Sequence, residues 1–99
     1  VPQEAEHVRH VYHVYALRVQ DRDTILQELK SNGIDCGIHY PVPIHLQEAY
    51  QTLGYTTGDF PVAETCAREF LSLPMFPELR KEQAERVITA VREATTAIA

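Results

Sequence analysis

Bulky apolar and aromatic side chains occupy both parities of the chain between Val8 and Val19. Val11, His13, Tyr15, Leu17 and Val19 fall on one, and Tyr12, Val14 and Ala16 on the other. Successive strand side chains point to opposite faces, so this pattern predicts a central β-strand packed on both sides. Pro2, Glu4 and Glu6, before that strand, read as the remains of a linker. Asp21 and Asp23 then offer candidate N-caps, Ile25, Leu26 and Leu29 follow at helical spacing, and Gly33 supplies a left-handed stop. Together they predict a short helix ending near Asn32.

Residues favouring β structure return from Ile34 to Tyr40, giving a second strand, and a double-proline arm leads into a short helix over Leu46 to Leu53, closed by Gly54. Asp59-Phe60-Pro61 is a helix start, because proline is tolerated in the first turn; Val62, Ala63, Cys66 and Phe70 then mark one face. Leu71-Ser72-Leu73-Pro74 is too short and too abruptly stopped for a helix and reads as a third strand. In the last element Ala84, Val87, Ile88, Val91, Ala94 and Ile98 recur at threes and fours, with Lys81, Glu85, Arg86, Arg92 and Glu93 outside that stripe.

The predicted order is β-α-β-α-α-β-α. It describes an α+β fold: a small two-layer domain with one three-stranded sheet and helices mainly on one face. With a right-handed first crossover strands one and two could be parallel, but the sequence does not fix the topology. No internal repeat or low-complexity segment is present.

Ninety-nine residues, 44% of them hydrophobic, suit a single domain over 1–99. Such a chain buries roughly 60–68% of the surface its unfolded form exposes. The net charge of -5, with scattered basic residues, argues against a nucleic-acid partner. No apolar run approaches the roughly 18 residues of a membrane span, and the N-terminus lacks a signal-peptide pattern, so the expected location is the cytoplasm. Cys36 and Cys66 have no CxxC partner and are expected to stay reduced.

The chemistry-bearing residues concentrate in one place, Gly37-Ile38-His39-Tyr40-Pro41-Val42-Pro43-Ile44-His45-Leu46-Gln47. Pro41 and Pro43 fix their own φ and bias Tyr40 and Val42 toward extended conformations, so the segment between the histidines reads as a stiff arm. Imidazoles there can donate to, accept from, or carry charge toward an anionic ligand, and Tyr40 adds a hydroxyl and a flat ring. The bland alternative has Tyr40 packing, the prolines shaping a turn and His45 capping the next helix. His7, His10 and His13 recur at threes, but on a strand His10 points away from the other two, which argues against a metal site.

Catalysis by this chain alone is disfavoured. Its two lysines, Lys30 and Lys81, sit on the polar side of the first helix and in the opening turn of the last, not in desolvated pockets. Cys66 falls on an apolar helix face as a packing residue, and Asp35 beside Cys36 raises rather than lowers a thiol pKa.

From Gly37 to Arg92 the chain resembles the C-terminal segment of the pyridoxal-phosphate-dependent sugar aminotransferases of the DegT type. The matching pieces are the arm quoted above, then Gly58-Asp59-Phe60-Pro61-Val62-Ala63-Glu64, then Leu71-Ser72-Leu73-Pro74-Met75-Phe76-Pro77, and the helix running from Glu82-Gln83 to Val87-Ile88. Upstream, His13-Val14-Tyr15 and Arg18-Val19 resemble the strand that opens this domain. One departure is the start of the last helix, where Leu79-Arg80-Lys81 replaces the usual Ser, Thr or Asp cap; cationic groups there cost a few tenths of a kcal/mol.

The resemblance implies a fold-type-I aminotransferase in which a large domain holds the cofactor and a smaller C-terminal α+β domain closes over the active site. The cofactor lysine, the carboxylate facing the pyridine nitrogen and the phosphate cup belong to that large domain and have no counterpart here. The chain is accordingly expected to be a fragment without a catalytic residue or pyridoxal phosphate site of its own. The resemblance further implies that His39, Tyr40 and His45 border the substrate cleft, where a keto-sugar, nucleotide-linked, would accept an amino group from an amino acid such as glutamate. It implies partners too: the missing large domain and, through homodimerisation, a second subunit. The rival reading is a free-standing small-molecule-binding or regulatory α+β module, which fold alone does not exclude.

Overall fold

The computed structural model describes residues 1–98, and side chains through Ala97. Ile98, the last position of the predicted stripe, therefore has its side chain outside the described residues. The elements are β1 (Tyr15–Arg18), α1 (Arg22–Ser31), two 3-10 segments (Ile44–Leu46 and Glu48–Leu53), α2 (Pro61–Glu69), β2 (Phe70–Leu73) and α3 (Lys81–Ile98).

The fold is α+β, with a two-stranded antiparallel sheet in place of the expected three strands. β1 pairs with β2 in the register Tyr15 to Leu73, Ala16 to Ser72, Leu17 to Leu71 and Arg18 to Phe70. The second predicted strand shrinks to one antiparallel bridge between Gly37 and Ser72, on the free side of β2. β2 is thus the middle of the arrangement and β1 an edge, correcting the central-strand reading. β1 and the Gly37 segment run the same way, but β2 lies between them. Strand β1 is also shorter than expected. Ahead of it Glu4 accepts from His10 N–H (3.0 Å) and His10 Nδ1 from Tyr12 N–H (2.8 Å), while Tyr12 takes a left-handed φ of 49°. This local knot withdraws residues 8–14 from the ladder.

The core joins Ile25, Leu26 and Leu29 of α1, Ile34 and Cys36 of the following segment, Leu71 of β2 and Ala94 of α3, with Val87, Ala90 and Val91 packed against it. Each fully buried Leu or Ile contributes about 1.5–3 kcal/mol of transfer free energy. Ile88, by contrast, is 49% exposed, and Ala90 takes the inward place the stripe assigned to it. The small Ala90 and Ala94 let α3 lie close to α1, a contact that a bulkier Ile88 face would hold apart.

Helix ends are settled by contacts from afar as well as by local caps. Asp21 occupies the N-cap of α1 at a left-handed φ of 47° without a side-chain cap bond. At the other end Arg86 of α3 donates from Nη2 to Asn32 O (2.7 Å), supplying a partner to a carbonyl just beyond α1. Gly33 follows at φ 73°, the left-handed stop its position predicts. α2 begins at Pro61 as expected. At the start of α3, Gln83 Oε1 accepts from Arg80 N–H (2.9 Å), half of a capping box, which offsets the missing Ser or Thr.

α2 does not bury the predicted face. Val62 and Ala63 are exposed and Cys66 half-buried, whereas Glu64 and Ala67 turn inward. The radius of gyration, 15.7 Å, exceeds the ~13 Å of a compact 100-residue domain. Tyr40, Val42, Ile44, Tyr50, Leu53, Tyr55, Phe60 and Val62 are all exposed. Among the described residues no helix is long and apolar enough to cross a membrane.

Candidate functional site: the proline arm and its anchors

The arm starts at the Gly37 bridge, where Gly37 N–H donates to Ser72 O (3.0 Å) and Ser72 N–H to Gly37 O (2.8 Å). The His39 ring folds back beside Gly37, so that a methyl group there would stand in van der Waals contact with Cε1, at 3.4 Å. There His39 Nδ1 lies 2.8 Å from Ser72 Oγ, leaving Nε2 as the nitrogen for a ligand.

Tyr40 comes next with φ 57° and its side chain 83% exposed. The left-handed backbone replaces the extended one expected before a proline and costs about 1–2 kcal/mol in a non-glycine residue. The bridge and the His39 contact, both tied to β2, override the local preference. Pro43, at φ -57° and ψ 146°, has the φ its ring imposes.

His45 lies in the Ile44–Leu46 turn and is only 8% exposed. Its Nε2 lies 2.9 Å from Glu64 Oε1, which also accepts Gly58 N–H at 2.8 Å. Gly58 reaches that position at φ 99°, a conformation other residues rarely adopt. The Gly58 N–H and then the His45 hydrogen bond hold the Glu64 carboxyl below the usual carboxylate range, against the opposing effect of burial. An ionised carboxylate only accepts, so Nε2 carries the proton in this pair. The His45 ring packs 4.8 Å from that of Phe60, which meets Tyr55 edge-on at 5.1 Å.

The three predicted site residues therefore have different standing. His39 and Tyr40 sit side by side on the accessible part of the arm, with ring centroids 6.4 Å apart. His45 is buried, with its Nε2 engaged by Glu64. It does not cap a following helix. Glu64 and Ser72, which hold the two histidines, escaped the sequence reading. Both lie in stretches that match the family, without a role assigned to either, and Ser72 is a polar residue isolated between Leu71 and Leu73.

Beside the anchored His45 lies an open groove of about 370 Å³ lined by Ile44, His45, Tyr50, Leu53, Tyr55, Phe60 and Ala63. Its lining is almost wholly apolar and aromatic.

Elsewhere, His10 is occupied locally, and among the described residues no group of three or more His, Cys, Asp or Glu side chains is placed to hold a metal. Both cysteines are free thiols, and burial first, then Asp35, pushes the Cys36 thiol up. Lys30 and Lys81 are both exposed, Lys81 lying 3.7 Å from Glu85. Neither has the desolvated surroundings that make a lysine amine nucleophilic, so the residues of this chain do not fit an imine-forming pyridoxal phosphate.

Residues 1–92 match the DegT/DnrJ/EryC1/StrS aminotransferase family. The chain belongs to this family. A dTDP-3-amino-3,4,6-trideoxy-alpha-D-glucose transaminase from Streptomyces venezuelae is 47% identical over 84% of the chain and 22% of its own length. A pleiotropic regulatory protein of Geobacillus stearothermophilus is 45% identical over 93% of the chain and 25% of its own length. Among solved structures, S. venezuelae DesV in complex with a ketimine intermediate superposes with a TM-score of 0.86 at 44% identity, covering 93% of this chain and 25% of that one. A family aminotransferase from Brucella abortus gives 0.85 at 32% identity, over 96% and 26%. The chain thus spans about a quarter of the length of these relatives.

Proposed function

We propose that this chain is the C-terminal, substrate-facing part of a pyridoxal-phosphate-dependent sugar aminotransferase, closing over an active site whose cofactor is held by the rest of the polypeptide. The observation that carries this reading is the arm itself. Within a family of aminotransferases, it presents Tyr40 and His39 to solvent at a fixed, energetically costly backbone geometry, where a connecting loop needs neither. The substrate class is a nucleotide-linked keto-sugar, in keeping with the named transaminase relatives. The amino donor is an amino acid, with glutamate expected, and the enzyme works in the cytoplasm.

His39, through Nε2, and Tyr40, through its hydroxyl and ring, bind the substrate; His45 serves the same cleft by fixing where the arm stands. Pyridoxal phosphate, bound outside these 99 residues, supplies the amino-group transfer. The apolar groove beside His45 and the exposed face of α2 are surfaces that the remainder of the polypeptide, or a second subunit of a homodimer, would cover.

The test is Tyr40→Ala in the full-length protein, assayed with dTDP- and UDP-linked amino sugars and 2-oxoglutarate. The expected result is a KM for the sugar raised roughly ten-fold or more with cofactor absorbance retained, because binding contacts outside the reacting centre act on substrate affinity. Unaltered kinetics would remove the arm from the cleft.

A second reading, a regulatory module that binds a small molecule without catalysis, draws on the name of the Geobacillus relative. It predicts saturable binding of a nucleotide sugar with no transamination by the full-length protein.

A further inference from the structure

Two buried side chains from one continuous piece of chain hold the arm at both ends. Ser72, 6% exposed in β2, meets His39 Nδ1 through its hydroxyl while its backbone pairs with Gly37. Glu64, 6% exposed in α2, takes the His45 Nε2 proton donor and the Gly58 N–H on the same oxygen. α2 runs into β2 without a loop, Pro61–Glu69 followed by Phe70–Leu73, so the spacing between the two anchors is set by regular backbone.

Between the anchors stands Tyr40 at φ 57°, its side chain 83% exposed. Packing of its own ring does not offset the cost of that conformation. Local preference before Pro41 runs the other way, toward an extended backbone. What opposes that relaxation is the pair of fixed points on either side, His39 at Ser72 and His45 at Glu64. An exposed aromatic held in an unfavourable backbone region is the kind of outlier that points to use.

We propose that Ser72 and Glu64 are positioning residues, a two-point clamp that holds Tyr40 in its left-handed conformation and His39 with Nε2 available, so that the arm meets the sugar substrate preformed. This rests on the reading above that the arm faces substrate. Neither residue touches substrate; each acts through a histidine. The effect is on substrate affinity, since an arm that must be ordered at binding lowers the fraction of protein competent to bind.

The experiment compares Ser72→Ala, Glu64→Ala, Glu64→Gln and Tyr40→Ala in the full-length protein, by hydrogen exchange and by steady-state kinetics with dTDP- and UDP-linked amino sugars and 2-oxoglutarate. Ser72→Ala and Glu64→Ala are expected to speed exchange in the peptide over 37–47 by roughly ten-fold or more, with α3 unaffected, as local opening becomes easier. Each should also raise the sugar KM about five-fold or more while kcat stays within about three-fold, the split expected of lost preorganisation. Glu64→Gln keeps an amide oxygen that can accept from both His45 and Gly58, and should recover most of both readouts. Ser72→Ala removes only a hydroxyl, so it carries the test by itself if Glu64→Ala does not fold.

Unchanged exchange over 37–47 in Ser72→Ala overturns the clamp whatever the kinetics show. If Tyr40→Ala raises KM while Ser72→Ala and Glu64→Ala do not, the clamp falls and the substrate-facing reading stands. If Tyr40→Ala leaves KM unaltered, that reading fails, and the positioning role fails with it.

Discussion

His45 Nε2 and Glu64 Oε1 lie 2.9 Å apart with both residues buried, 19 positions apart in the chain. This one contact ties the proline arm to α2, and the second bond from Gly58 to the same oxygen ties in the loop ahead of α2.

Because the Glu64 carboxyl is held below its usual range, its folded pKa lies under its unfolded value. The native state therefore binds fewer protons in that window. The stability it contributes is fully present above the ordinary carboxylate range and is lost as pH falls through the folded pKa. Urea midpoints measured from pH 7 down to pH 3 should fall more steeply for the wild type than for Glu64→Gln. Parallel curves would show that Glu64 titrates alike in both states.

Leu29 is fully buried in the core, whereas Ile88 is half exposed. Leu29→Ala should cost about 2–5 kcal/mol, and Ile88→Ala about 1 kcal/mol or less, because only the first opens a cavity. Equal losses by chemical denaturation would contradict the packing of α3 described here.

Arg86 joins α3 to the end of α1 through Asn32 O. Arg86→Ala should cost about 0.5–1.5 kcal/mol, the range for a single net hydrogen bond. Faster amide exchange should be confined to the last turn of α1 and Gly33. Exchange spread evenly over the chain would assign Arg86 a different role.

Cys36 is buried and its thiol is pushed up, while Cys66 is half-buried. Since the thiolate is the reacting species, iodoacetamide at pH 8 should alkylate Cys66 first. Cys36 should react at a comparable rate only in denaturant. Mass spectrometry of partly alkylated native protein showing Cys36 modified first would refute this ordering.

Much of the local structure was legible because its causes are local. The Ile25, Leu26 and Leu29 spacing, the Gly33 stop, the Pro61 start, the abrupt strand before Pro74 and the periodic last helix each correspond to an observed element. The α3 start shows the limit of residue-type reasoning, since Gln83 reaches back to cap a helix whose N-cap is Arg80. For α2 the apolar stripe of Val62, Ala63, Cys66 and Phe70 misled, because the side chain drawn inward is a glutamate whose partners come from two other segments.

By itself the sequence determined α1, α2, α3, the β2 strand and the α+β class, whereas the helix it predicts over Leu46 to Leu53 is a pair of 3-10 segments, Ile44–Leu46 and Glu48–Leu53. What it determined follows from the side-chain period, caps and stops within about a dozen residues. Tertiary structure decided that the second strand is one bridge at Gly37, that Tyr40 is left-handed despite the following proline, and that His45 faces inward while His39 and Tyr40 face out. Those outcomes depend on hydrogen bonds to Ser72 and Glu64, formed between residues 19 to 35 positions apart, which local periodicity does not encode.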